Sequence, residues 1–589
     1  MTHNKRLMAL VLSGLMGTVQ AGEKDELLKL RNTTASLIQQ LVKQGILTQQ
    51  MADQMIKQAE ADAEEQAAIA KAEDKATAAV PAGEVRVAYV PDFVKDEIRQ
   101  QVRMELKEEV VGDVMQKAKA EQWGVPGALP DWTRRFKLTG DLRLRSQNDL
   151  MANDNFANGL PGSGTNGFYP NVMAIHDAGG FTAAGPNAWM NSTEDRHYWR
   201  QRLRLGVDAL IAERPKDSLK AGIRLATGNQ PDAVSTNQNM GITGQRYQWG
   251  VDRAYLEYTA VDDDKFKWLT VDGGRIKNPW YTGGGEFTAG SELLFDVDLS
   301  FEGVSATYHH NLQSGGLANA GEPRRSLFVT GGAFPLQEVE RASSDKWMFG
   351  GQTGLDWTFN NQDNFRFAVA YYDYVNVQAK PNTLAGGGGL GTCDTNSFAQ
   401  TNSRPQFTQG GNTLAAICQE GVGNVASRTG NVDMWGLASD FNIINLNVSY
   451  DMALFAPYHL RFSADLARNI GFDRQAVNRL TALNPLATDV DPQTDAWQLR
   501  VDLGWPIAER PGHWNVFWAY KYVERDAVFD AFSDSDFRLG GSNNKGWFIG
   551  GNYGLMKNVW LTSRWLSADV VHGPNFGIDV YQLDINTRF

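Results

Sequence analysis

The stretch Gly577-Ile-Asp-Val-Tyr-Gln-Leu-Asp-Ile-Asn-Thr-Arg-Phe589 decides the reading of the chain. Tyr581, Leu583, Ile585, Thr587 and Phe589 fall on one parity, and Gln582, Asp584, Asn586 and Arg588 on the other. Successive side chains of a strand point to opposite faces, so this segment has one apolar and one hydrated side. A soluble edge strand would read the same way. The segments upstream must discriminate.

They repeat the pattern. In 134–147, Phe136, Leu138, Leu142 and Leu144 oppose Arg135, Lys137, Asp141, Arg143 and Arg145. In 195–211, Trp199, Leu203, Leu205, Val207 and Ala209 oppose Arg196, Arg200, Arg202, Arg204 and Asp208. In 496–505, Trp497, Leu499, Val501, Leu503 and Trp505 face away from Gln498, Arg500 and Asp502, with Trp at both ends as an interfacial girdle requires. About sixteen such segments occur, most near the roughly 9–11 residues of a tilted membrane strand. They centre on 134–147, 195–211, 217–228, 249–261, 266–277, 297–311, 325–334, 347–359, 364–376, 434–450, 457–469, 494–505, 513–524, 545–554, 558–568 and 577–589. Long connections (148–194, 229–248, 278–296, 377–433, 470–493, 525–544) alternate with short ones such as 212–216 and 262–265. Membrane barrels have long outer loops and short periplasmic turns, and an even strand count leaves both termini periplasmic. The join near 312–324 is long for a short turn. A β-propeller would show a fixed-period repeat, and none is visible.

Composition agrees. A formal net charge of −12 and a pI near 5.3 exclude a basic nucleic-acid footprint. A mean hydropathy of −0.39, with no long apolar run beyond the N-terminus, excludes helical membrane spans but permits an alternating barrel. Lys5 and Arg6 precede an apolar run from Leu7 to Val19, and Ala21 offers a cleavage point, so residues 1–21 read as an export signal. Residues 22–122 read as a helical segment in which the Ala-, Glu- and Lys-rich tract 59–79 is either a solvated helix or a linker. Leu27, Leu30, Leu37, Ile38 and Leu41 form a stripe, and Val94, Ile98, Val102, Leu106, Val110 and Val114 recur every four residues. A lone helix would expose that second stripe, so it wants a partner. A coiled coil between subunits and packing onto the chain's own first helices both remain open. Pro and Gly in Trp123-Gly-Val-Pro-Gly-Ala-Leu-Pro-Asp-Trp132 then open the barrel, 123–589.

Several motifs together look like one family: Gly45-Ile-Leu-Thr48 interrupting the first helix, Gly83-Glu-Val-Arg-Val-Ala-Tyr-Val-Pro91 running into Val94-Lys-Asp-Glu-Ile98, the Trp123–Pro130 stretch, and Gly140-Asp-Leu-Arg-Leu-Arg145. They resemble the Putative porin family of Gram-negative bacteria, over nearly the whole chain. The resemblance implies an all-β outer-membrane barrel acting as a channel, and a homotrimer. Its surroundings would be outer-membrane lipid and lipopolysaccharide, the assembly machinery, and small hydrophilic solutes. The terminal strand resembles the closing strand of such barrels, whose last Phe, here Phe589, belongs to the assembly signal. Its polar parity is expected beside Arg135, Lys137, Asp141 and Arg143 of the first strand. In general porins the third outer loop folds inward, and here it is 278–296, with three consecutive glycines, Gly283 to Gly285, that permit a sharp bend.

The expected constriction therefore sets a basic wall against an acidic loop. The wall is Arg143, Arg145, Arg200, Arg202, Arg204 and Arg224, and the acids are Glu286, Glu292, Asp296, Asp298 and Glu302. Opposed charges across a pore set a transverse field that sorts solutes. Cys393 and Cys418 share one loop of an exported protein, which points to a disulfide. No His-Glu-x-x-His or Gly-x-Ser-x-Gly motif occurs, so neither an enzyme nor a metal or cofactor is expected. The reading is a passive porin for small hydrophilic solutes or ions. The alternative is a structural envelope protein tethered through its N-terminal helices.

Overall fold

The computed structural model describes residues 135–157, 168–228, 232–283, 290–312, 325–341, 343–384, 389–393, 398–419, 432–455, 457–482 and 490–589. The signal peptide 1–21, the helical segment 22–122, most of the join 312–324 and Glu286 lie outside the described residues.

Alternating sequence becomes strand throughout. One sheet contains seventeen strands, of which Gln238–Asn239 is a two-residue patch on the second long strand. The other sixteen are β1 (Phe136–Met151), β2 (Arg196–Arg214), β3 (Asp217–Ala226), β4 (Gly250–Val261), β5 (Lys267–Lys277), β6 (Ser300–Asn311), β7 (Arg325–Gln337) and β8 (Lys346–Thr358). They continue as β9 (Asn364–Val375), β10 (Phe441–Phe455), β11 (Tyr458–Asn469), β12 (Asp495–Gly504), β13 (Trp514–Val523), β14 (Asn544–Met556), β15 (Val559–Val570) and β16 (Ile578–Arg588). Each pairs antiparallel with the next, and β16 pairs back to β1, so the sheet is a closed barrel without an edge. All sixteen expected segments are present.

Two boundaries differ from the sequence reading. The segment expected at 434–450 divides: Val432–Leu437 pairs with Leu414–Gln419 in a separate hairpin, and the barrel strand starts at Phe441. At the seam Asp141 faces Arg588, Arg143 faces Asn586 and Arg145 faces Asp584. Gly140 and Phe589 exchange backbone hydrogen bonds of 2.8 and 2.9 Å. Arg135 and Lys137 extend past the partner strand, so the seam is shorter than expected. On the outward face the Phe589 ring lies over Gly140, where any β-carbon would sit 2.3 Å from it. A larger residue there would push the exposed Phe589 ring aside.

The two faces separate by chemistry. Leu138, Leu144, Leu205, Leu256, Val304, Leu499, Trp518 and Leu583 are exposed on the outside. Arg145, Gln147, Asp149, Asp465, Asp502, Lys521 and Asp584 are buried on the inside. Such a continuous apolar exterior is a surface for lipid. Aromatic rings gather at both ends of β11–β13: Trp497 stacks with Tyr520 at 5.4 Å, and Tyr458 meets Trp505 at 4.3 Å toward the other rim.

Connections 152–195, 227–249, 278–299, 376–440, 470–494 and 524–543 emerge at one rim. Several turn inward rather than out. Their apolar residues, among them Trp280, Leu293, Phe295, Val377, Leu437, Val528 and Phe529, pack with Phe301, Phe334, Tyr372, Tyr374 and Phe441 from the strand ends into the largest buried cluster. A disulfide joins Cys393 to Cys418 within loop 376–440.

Candidate functional site: a charged lumen crossed by two loops

The described residues of loop 278–299 lie inside the barrel. The Tyr281 N–H donates to Gln352 Oε1 at 2.8 Å, Gln352 Nε2 donates to the Tyr281 carbonyl at 2.9 Å, and the Tyr281 hydroxyl meets Ser449 Oγ at 2.6 Å. Gln352 and Ser449 are inward residues of β8 and β10. The first of the three glycines, Gly283, has φ +79, a left-handed bend that disfavours other residues.

A second loop, 524–543, joins it, and sequence reasoning missed this. Asp296 N–H donates to the Phe532 carbonyl at 2.7 Å, Asp534 N–H donates to the Glu292 carbonyl at 3.2 Å, and Ser535 N–H donates to Asp296 Oδ2 at 2.9 Å. Asp526, Asp530, Ala531 and Phe537 are buried. The available signal was the run Ala527-Val-Phe-Asp-Ala-Phe532, too apolar for a hydrated outer loop.

The basic wall follows from β1–β3 parity, and the two loops bring acids to it. Asp298 Oδ1 lies 3.4 Å from Arg202 and 3.0 Å from Arg204, while Asp298 Oδ2 accepts from Thr236 at 3.1 Å. Asp141 binds the same two guanidiniums at 3.1 and 2.8 Å. Arg145 holds Asp584 at 2.8 Å and Asp536 at 3.1 Å, and Asp536 also meets Arg564 at 2.7 Å. Burial alone would raise both loop carboxyls. Arg202 and Arg204 outweigh it at Asp298, and Arg145 and Arg564 outweigh it at Asp536, so both stay far below the usual carboxylate range. Arg224 pairs with Asp252. Arg143 reaches the Asn237 amide oxygen and Arg200 reaches Ser235 Oγ at 3.5 Å, and no carboxylate ion pair forms at either among the described residues.

Glu292 and Asp296 sit elsewhere, against Asp534, with ligand atoms within 4.8 Å of one another. Burial and then Asp534 push Glu292 up to about 7; burial and then Glu292 raise Asp296 well above its ordinary value. The cluster already has a cation, since Lys521 Nζ lies 2.8 Å from Asp534. Glu302 is not on the polar parity. It shares the outward parity of the exposed Val304 and Tyr308, pairs with Arg275 at 2.7 Å, and is 60% exposed at the rim.

A closed antiparallel barrel with an apolar outside, a charged inside and loops narrowing its interior is the architecture of an outer-membrane diffusion channel. The chain belongs to the family described as Putative porin, whose pattern matches residues 31–589. No curated protein matches it. Among solved structures it is similar to the outer-membrane channel DcaP of Acinetobacter baumannii, at 10% identity and a TM-score of 0.36, covering 77% of this chain and 97% of that one. It is also similar to OprB of Pseudomonas putida at high pH, at 11% identity and 0.40, covering 78% and 95%. OmpT of Vibrio cholerae, in trimer form, follows at 7% and 0.37, covering 77% and 99%.

Proposed function

We propose that the channel passes small hydrophilic solutes and ions passively through a constriction with one basic and one acidic side. Arg143, Arg145, Arg200, Arg202, Arg204 and Arg224 form the basic side. Asp298 and Asp536 form the acidic side beside them, with Glu292 and Asp296 further along the loops. The observation that supports this best is the pairing of Asp298 with Arg202 and Arg204 across the lumen. Fixed opposite charges order water and sort solutes by charge and dipole.

The pairing does not balance. At ion-pair distance four guanidiniums (Arg145, Arg202, Arg204, Arg564) share four carboxylates (Asp141, Asp298, Asp536, Asp584), while Arg143 and Arg200 have none among the described residues, Asp232 acting on Arg200 only from longer range. On this reading the wall favours anions despite the acidic chain. Reversal potentials of purified protein in a planar bilayer under a salt gradient test it. Anion preference is expected; cation preference would overturn the surplus argument, and silence under all conditions would overturn the channel. On the same reading residues 22–122 stand in the periplasm, Phe589 serves as an assembly signal, and three copies associate amid lipid and lipopolysaccharide.

A further inference from the structure

A cavity where four long loops meet contains a charge that no acid among the described residues pairs with. It encloses about 110 Å³. Its lining includes Tyr169 of loop 152–195, Asn412 of loop 376–440, Val490 of loop 470–494, and Arg525, Arg538 and Asn543 of or beside loop 524–543.

Arg538 is 5% exposed. Its Nη2 donates to the Ser542 carbonyl at 2.9 Å, and its guanidinium carbon lies 5.2 Å from the centre of the Phe576 ring. Its Nε has no partner, and no carboxylate pairs with it among the described residues. Arg525, half-buried, adds a second guanidinium whose contact is a 3.5 Å approach to the His572 carbonyl. The nearby acids are engaged. Asp526 accepts from the Thr413 N–H at 2.9 Å and the Thr413 hydroxyl at 2.5 Å, and Asp530 accepts from the Gly410 N–H at 2.6 Å. Burial pushes Asp526 up to about 6, which further reduces what it offers a cation near neutral pH. Burial pulls Arg538 down to about 10, so it remains charged at neutral pH.

A buried cation without a counter-ion is unfavourable, and neutral carbonyls compensate it only in part. A guanidinium fork matches an oxyanion in shape and charge. One water needs roughly 10–15 Å³ on this measure, so the cavity admits a small ion with some water but not a sugar. We propose that this cavity binds a small oxyanion, a phosphate or a short carboxylate, held by Arg538 and Arg525 and distinct from the lumen wall. Occupancy would tie the four loops together through one ligand.

Calorimetric titration of the full chain in lipopolysaccharide-free detergent, with inorganic phosphate and separately with acetate, tests this. One saturable site is expected for at least one probe. Arg538→Gln should weaken it by about tenfold or more, Arg525→Gln by less, and Lys216→Gln at the opposite rim not at all. No saturable binding, or equal binding by Arg538→Gln and the unaltered chain, overturns the site. Should Arg538→Gln fail to assemble, Arg525→Gln decides, and unchanged affinity there counts against the proposal. Binding seen only in micelles carrying a phosphorylated glycolipid would make the cavity a lipid contact and overturn the solute site.

Discussion

On the β5–β9 side of the interior, Trp280, Phe295, Phe301, Phe334 and Tyr372 pack ring on ring, with centroids 4.8, 5.1, 5.3 and 6.1 Å apart. On the β15–β16–β1–β2 side the same inward loops meet guanidiniums and carboxylates. Loop 524–543 touches both: its Phe529 reaches Tyr374 at 4.9 Å, and its Asp536 reaches Arg145 and Arg564. Apolar burial is large and non-directional, so the aromatic side holds the loops in the barrel. Ion pairs are directional and nearly offset by desolvation, so the charged side contributes less stability and more field. One side seats the loops; the other gives the lumen its sign.

That division can be broken experimentally. The largest effect is expected on the aromatic side. Phe529→Ala should cost about 3–5 kcal/mol of loop seating, release loop 524–543 to limited proteolysis and raise single-channel conductance. Protease resistance equal to that of the unaltered chain would mean the rings are not the anchor. Asp536→Asn comes next. Arg145 keeps Asp584, so the loss should be about 2 kcal/mol, while the reversal potential should move further toward anions. An unchanged reversal potential would show that the wall does not control selectivity.

The smallest effect is pH-dependent. Glu292 has a folded value near 7 against an ordinary 4.5, so the folded state binds the proton more tightly than the unfolded state. Its contribution to seating loop 278–299 is present below about 4.5 and is lost as pH rises through about 7. Asp298 and Asp536 run the other way: their contribution is present above the ordinary carboxylate range and is lost only in strong acid. Hydrogen-exchange protection across residues 290–299, corrected for the intrinsic pH dependence of amide exchange, should therefore fall modestly between pH 5 and 8 in the unaltered chain and not in Glu292→Gln. A flat profile in both would remove Glu292 from the loop contact.

The barrel was legible because its signal is redundant. Trp497, Leu499, Val501 and Leu503 name an outer face without reference to any other strand, and sixteen such faces confirm one another. The hairpin error has a local cause. Val432–Leu437 and the strand beginning at Phe441 are separated by only Ala438, Ser439 and Asp440, so alternation runs through the break. The arginines of β1 and β2 were legible for the same reason as the strands. Their partners were not. Asp536 lies 391 residues from Arg145, and nothing local to either reports the contact. The inward turn of loop 524–543 was written in Phe529 and Phe532, but loops carry no periodicity that distinguishes a buried aromatic from an exposed one.

The pairing of Arg145 with Asp584 spans 439 residues and straddles the barrel's seam. Sliding β16 by one residue would turn its apolar face inward, which burial forbids. Sliding it by two keeps the faces correct, so hydrophobicity alone cannot reject that mistake. It would, however, set Arg145 opposite Gln582 or Asn586 in place of Asp584. The buried guanidinium would then lose its nearest carboxylate and keep only Asp536, at a cost of about 2 kcal/mol. The same two side chains that help polarise the lumen thus act as a key for the final zippering, rejecting the one misalignment that an amphipathic strand cannot detect.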